Sequence, residues 1–131
     1  ELEQALAGLY GAFVDRGITP EISIPETKVV RTLDRKSIQR TFSNILSNAL
    51  KYSDGDLKVC LTEDGVITFT NRASGISATD VGKLFNRFFT VESAHHSTGL
   101  GLSIAKLLTE KNGGSIEASL EDNNLVITLK Y

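Results

Sequence analysis

The sequence predicts an α+β two-layer sandwich, a mixed five-stranded sheet with about three helices on one face. Three observations lead there. Alternating apolar runs separated by turn residues mark hairpins, one long helix carries a narrow apolar stripe, and two further helix patterns interrupt the strands. At 131 residues, with 40% hydrophobic and 23% charged residues, the chain suits one domain with one core.

Residues 21–25 and 29–33 alternate or cluster apolar side chains between Pro20, Pro25 and Asp34, and read as short strands. Asp34 can cap a helix running to about Tyr52, with Ile38, Phe42, Ile45, Leu46, Ala49 and Leu50 at the spacing of one buried face. Residues 57–62 and 66–70 flank a turn containing Gly65 and predict adjacent antiparallel strands. After Asn71 the alternation breaks. Ser77 or Thr79 can cap a short helix that includes Val81, Leu84 and Phe85. Residues 86–98 keep no period and read as a long loop, a length that in compact domains is usually functional or disordered. A helix then opens at Thr98-Gly99-Leu100-Gly101-Leu102 and stops at Gly113-Gly114. Residues 115–120 and 125–129 close the chain as a second hairpin around 121–124.

A formal net charge of −2 supplies no general field for nucleic acid or an anionic membrane, so any polyanion must be met locally. No apolar run approaches the ~20 residues that span a bilayer. Cys60 is the only cysteine, which excludes an internal disulfide and a cysteine zinc site; it reads as a small buried thiol. The opening residues, Glu1-Leu2-Glu3-Gln4-Ala5-Leu6, read as the tail of a helix or linker, as in a piece of a larger protein.

Chemistry concentrates in two places. Asn44, Asn48 and Lys51 are spaced four and three apart, so they project from successive turns of one helix and can reach a single ligand. Asn costs a helix roughly half a kcal/mol against Ala, so a pair one turn apart points to a task beyond solvation. Carboxamide oxygens can coordinate Mg²⁺, which shares its shell with waters and phosphates, and Lys51 would supply a point charge for those phosphates. The second place is Gly99-Leu100-Gly101, where backbone without Cβ can approach an anion at the free N–H groups of a helix start. It is neither a Walker A loop nor a Rossmann fingerprint, and a tight turn before a buried helix is its plain alternative.

In order along the chain, Asn44-x-x-x-Asn48-Ala49-x-Lys51-Tyr52-Ser53, Gly75-Ile76, Leu84-Phe85-x-Arg87-Phe88-Phe89, Thr98-Gly99-Leu100-Gly101-Leu102-Ser103-Ile104 and Gly113-Gly114-Ser115-Ile116 resemble the ATP-binding catalytic domain of bacterial sensor histidine kinases, the Bergerat ATP fold. The resemblance spans about residues 21–131 and covers the N, G1, F and G2 boxes. It implies residues 1–20 as a linker or helical tail from an N-terminal dimerisation domain plus the first strand region, and 21–131 as the catalytic domain. It implies Mg²⁺ on Asn48, with Asn44 beside it near the phosphates and Lys51 and Tyr52 on the nucleotide; Asn44 and Lys51 are the residues expected to serve catalysis. Gly99 and Gly101 would hold the triphosphate, with Thr98, Leu100 and Leu102 around them. Gly75, Ile76 and Phe85 belong to the nucleotide site through their boxes, and residues 86–98 would be a lid. Arg87 would neutralise phosphate charge or make a salt bridge.

Two departures sharpen this. Where the family usually reads Asp-x-Gly-x-Gly, the chain has Asn71-Arg72-Ala73-Ser74-Gly75. Asn71 can still accept the adenine amino proton through its amide oxygen, with a loss of ~1 kcal/mol against a charged acceptor. Asn71→Asp is therefore expected to tighten adenine nucleotide binding. Hydrolytic relatives of the fold carry Glu at the position of Asn44, and Asn cannot take a proton from water, which favours phosphoryl transfer over hydrolysis. The phosphoacceptor histidine is expected outside the chain, on the dimerisation domain of the same or a partner subunit, because His95 and His96 lie in the lid.

The resemblance further implies a response regulator receiver domain as the downstream partner, with no nucleic acid and no direct membrane contact. The full-length protein is expected to be a homodimer anchored in the membrane, with this domain in the cytoplasm. Two other readings of the fold are a degenerate docking module without nucleotide and an anti-sigma-factor-type serine kinase.

Overall fold

The computed structural model describes residues 2–15, 17–26, 33–52, 56–73, 77–86 and 101–131. Among them are helices α1 (Leu2–Asp15), α2 (Arg35–Tyr52), α3 (Ala78–Val81) and α4 (Gly101–Lys111), and strands β1 (Glu21–Ser23), β2 (Lys58–Leu61), β3 (Val66–Arg72), β4 (Ser115–Glu121) and β5 (Asn124–Lys130). The strands form one mixed five-stranded sheet in the order β1-β2-β3-β5-β4. The β1–β2 pair is parallel, and the others are antiparallel. Both expected hairpins are present; Asp122 and Asn123 both take positive φ in the second, as a tight two-residue turn requires.

Strand alternation decides the layers. Val59, Ile67, Phe69, Ile116, Leu125, Ile127 and Leu129 are buried on one face, while Thr68, Thr70, Val126 and Thr128 stay partly exposed. Register lines the buried face up in rows. Val59, Phe69, Ile127 and Ala118 lie side by side, as do Ile67, Leu129 and Ile116, then Asn71, Leu125 and Leu120. Helix α2 lays its predicted stripe on this face, with Phe42 tilted against Phe69 at 6.4 Å between ring centroids.

The N-terminal segment is helical and contributes to the core. Leu2–Asp15 is a helix, and Phe13 and Ile18 are fully buried in the common core, so core residues lie on the N-terminal side of residue 21. The short helix is capped by Ser77, whose side chain accepts from the Asp80 N–H while Asp80 accepts from the Ser77 N–H. It ends at Val81, and Leu84 and Phe85 sit in the turns beyond it. The expected strand at 29–33 falls almost wholly outside the described residues, as do 87–98 of the expected lid.

A seam of polar contacts runs between α2 and α4 alongside their apolar packing. At one end Asp34 caps α2 through the Ser37 N–H and hydroxyl, and the Asp34 N–H donates to Asn112 Oδ1 at 3.0 Å. In the middle, buried Thr41 and Thr109 each donate to the carbonyl four residues back, and the buried Tyr131 hydroxyl faces both. At the other end Asn44 reaches Gly101. The contacts 34 to 112 and 44 to 101 run in opposite order, so the helices are antiparallel. Past α4, Gly113 takes φ +79°, and a Cβ on Gly114 would lie 2.6 Å from the Lys130 carbonyl oxygen and 2.8 Å from the Tyr131 ring. The stop signal is one glycine for conformation and one for close approach.

Candidate functional site

The seam's 44–101 end is where predicted site residues meet. The Asn44 Nδ2 donates to the Gly101 carbonyl oxygen at 3.0 Å, across 57 residues of sequence. One turn along α2, Asn48 is 9% exposed and its Nδ2 has no partner among the described residues. A buried amide with unmet hydrogen-bonding capacity costs about 1–3 kcal/mol, which a ligand can relieve. In the first turn of α4, a Cβ on Gly101 would meet none of the described residues within 4 Å. Among the described residues nothing fills the space beside the first turn of α4, whose N–H groups lack intrahelical acceptors.

These features suit a magnesium-bound polyphosphate. The described residues hold no cluster of three or more His, Cys, Asp or Glu, so no all-protein metal cage is present among them. A single carboxamide oxygen with phosphate and water completing the shell is a normal Mg²⁺ arrangement. The Asn48 oxygen can serve the metal while its Nδ2 meets a phosphate oxygen.

Asn71 lies at the end of β3, on the helix-covered face, 3% exposed, in the row occupied by Leu125 and Leu120. Its Nδ2 donates to the Arg72 carbonyl oxygen at 3.3 Å. A carbonyl accepts only from the amide nitrogen, so this bond sets the amide's orientation and leaves Oδ1 as the acceptor toward any ligand. Phe85 is half-buried with the Lys106 ammonium 5.8 Å from its ring centroid, a cation–π contact tying the segment after α3 to α4. Leu102 is buried and anchors α4 to the core.

Lys51 and Tyr52 close α2, and their side chains lie outside what the structure describes. Gly75, Ile76, Arg87, Thr98, Gly99 and Leu100 lie outside the described residues altogether, with His95 and His96. Sequence reasoning missed Arg72, whose carbonyl orients Asn71, and the seam residues Ser37, Thr41 and Thr109. Their 4-3-4 spacing with Asn44 and Asn48, at 37, 41, 44 and 48, was the available signal.

Fold and site together define a nucleotide-binding α+β domain of the Bergerat type. The chain belongs to the histidine kinase-, DNA gyrase B- and HSP90-like ATPase family, whose sequence profile matches residues 33–131. The sensor histidine kinase YcbM of Bacillus subtilis is 36% identical over 92% of this chain and 43% of that protein. The sensor protein VanSC of Enterococcus gallinarum is 35% identical over 80% of the chain and 31% of its own length. The chain thus spans less than half of each. In structure, the catalytic domain of the histidine kinase ThkA superposes with a TM-score of 0.84 at 21% identity, covering 98% of this chain and 88% of that one.

Proposed function

We propose that the chain is the ATP-binding catalytic part of a sensor histidine kinase, which binds Mg-ATP and passes the γ-phosphoryl group to a histidine on a separate helical domain. The observation that carries this is the bond from Asn44 to Gly101 at the start of α4, one helical turn from buried Asn48, whose Nδ2 has no partner among the described residues. The relatives' names, YcbM as a sensor histidine kinase and VanSC as a sensor protein, support the same reading.

Phosphoryl transfer asks a protein mainly for positioning and charge neutralisation. Asn71 Oδ1 would accept the adenine amino proton, placing the base at the end of β3. Asn48 would hold Mg²⁺ through its oxygen and a phosphate oxygen through its nitrogen, and Lys51 would add a point charge. Bound Mg²⁺ would spread the charge of the β- and γ-phosphates. The free N–H groups at the start of α4 would face the triphosphate. In the transfer, the bond from γ-phosphorus to the bridging oxygen breaks, a phosphorus–nitrogen bond forms to the incoming imidazole, and the imidazole loses its N–H proton as ADP is released. No carboxylate base for water stands at residue 44, which fits transfer better than hydrolysis.

The phosphoacceptor would lie on a dimerisation domain of the same or a partner subunit, and a receiver domain would take the phosphoryl group onward. Among the described residues no helix is long and apolar enough to cross a membrane. A membrane anchor, with this domain on the cytoplasmic side, would come from other segments of the protein. The test is titration with a fluorescent ATP analogue, with and without magnesium, on the chain and on Asn48→Ala. Magnesium-dependent binding is expected in the wild type, weakened roughly tenfold or more in the variant. Failure of the wild type to bind at millimolar nucleotide would leave the docking-module reading in its place.

A further inference from the structure

We infer that Asn44 is a positioning residue, whose side chain holds the first turn of α4 in register with Asn48. The inference rests on the nucleotide-binding reading above and goes beyond it, because the resemblance would put Asn44 at the phosphates themselves. Its amide nitrogen is instead committed to the Gly101 carbonyl at 3.0 Å. A carbonyl oxygen has two lone pairs, so this bond can coexist with the helical one from the Ala105 N–H.

The seam explains why one side-chain bond there matters. Helix α4 is tied to the cap of α2 by Asn112 at its far end, and in the middle Thr109 and Thr41 face the Tyr131 hydroxyl. At the near end, the described residues offer Asn44 as the polar tie. Without it α4 keeps its far anchors and the packing of Leu102, but its first turn loses the directional bond that sets the register of the N–H groups aimed at the ligand. Gly101 adds the second reason. Glycine is a poor helix former, so the turn that begins with it gains from a side-chain bond to its carbonyl. Asn44 is only partly buried, so its bond competes with water and adds modestly to overall stability.

The test compares the wild-type chain with Asn44→Ala and Asn44→Asp by calorimetric titration with Mg-ATP and Mg-ADP, thermal melting, and hydrogen exchange without nucleotide. Asn44→Ala is expected to weaken ATP by about fivefold and ADP by less, with a nearly unchanged melting temperature. Exchange should quicken at Ala105 and its α4 neighbours and stay constant in the β4–β5 hairpin. Asn44→Asp should bind more weakly than Asn44→Ala, since its carboxylate confronts the carbonyl. An aspartate variant equal to or tighter than wild type would assign Asn44 to the metal and overturn the inference. Wild-type exchange and affinity in Asn44→Ala would overturn it as well. A wild type that binds neither nucleotide would overturn the nucleotide reading, and the exchange comparison would still decide whether Asn44 holds the turn.

Discussion

Asn71→Asp changes two balances at once, and the structure puts opposite signs on them. Toward adenine, a charged acceptor replaces a neutral one, a gain of ~1 kcal/mol or about fivefold in affinity. Toward the protein, the variant loses the Nδ2 bond to the Arg72 carbonyl and sets a carboxylate oxygen against that oxygen, at a position 3% exposed beside Leu125 of β5. Burial of an unpaired carboxylate raises its pKa, and each unit of rise costs 1.36 kcal/mol of stability at neutral pH. A rise of about one to two units plus the lost bond gives roughly 2–4 kcal/mol, on the order of 8–15 °C in melting temperature for a domain of this size. The unfolded aspartate ionises near pH 3.9, so the loss grows as pH rises from about 4 through the raised folded pKa and then levels. Melting curves at about pH 4.5 to 8 without nucleotide, with ATP calorimetry at neutral pH, measure both balances. Wild-type stability at pH 7 would refute the placement of Asn71 against Arg72. Stability loss with no gain in affinity would refute its facing adenine.

Two further predictions concern the seam's surroundings. Gly114→Ala should cost about 1–3 kcal/mol in urea unfolding, because its Cβ would press on the Lys130 backbone oxygen at 2.6 Å; an unchanged midpoint would mean that strand moves freely. Burial pushes the Tyr131 phenol up from its ordinary value near 10, with the Thr109 and Thr41 hydroxyls partly offsetting it. The fold therefore favours the neutral phenol, and the stability tied to it is present below about pH 10 and lost as pH rises through the folded value. Tyr131→Phe should flatten the alkaline fall of the melting temperature; parallel curves for the two proteins would assign that fall to other groups.

The parts of the fold legible in the sequence were those set by local spacing. The α2 stripe, both hairpins and the Gly113-Gly114 stop follow from periods of 3.6 and 2 and from turn residues, and each lies within one short segment. The core role of α1 was hidden because Phe13 and Ile18 find their partners only in tertiary packing. At the site, Asn48 and Asn71 were found as residues, but not what each touches. Asn71 looked like a plain substitution of one acceptor for another until Arg72 turned out to occupy half of its amide. Asn44 read as a ligand group because its partner is 57 residues away, and no spacing rule connects two helices that far apart.

That separation has a thermodynamic consequence. Each hairpin closes through neighbouring residues, whereas the site exists only once α2 and α4 have met across a loop of 57 residues, a closure that conformational entropy opposes. A ligand shared by the two helices then acts as a reversible cross-link. It adds RT ln(1 + [L]/Kd) to the stability of the docked helix pair alone, and the hairpins gain only through their cooperativity with that pair.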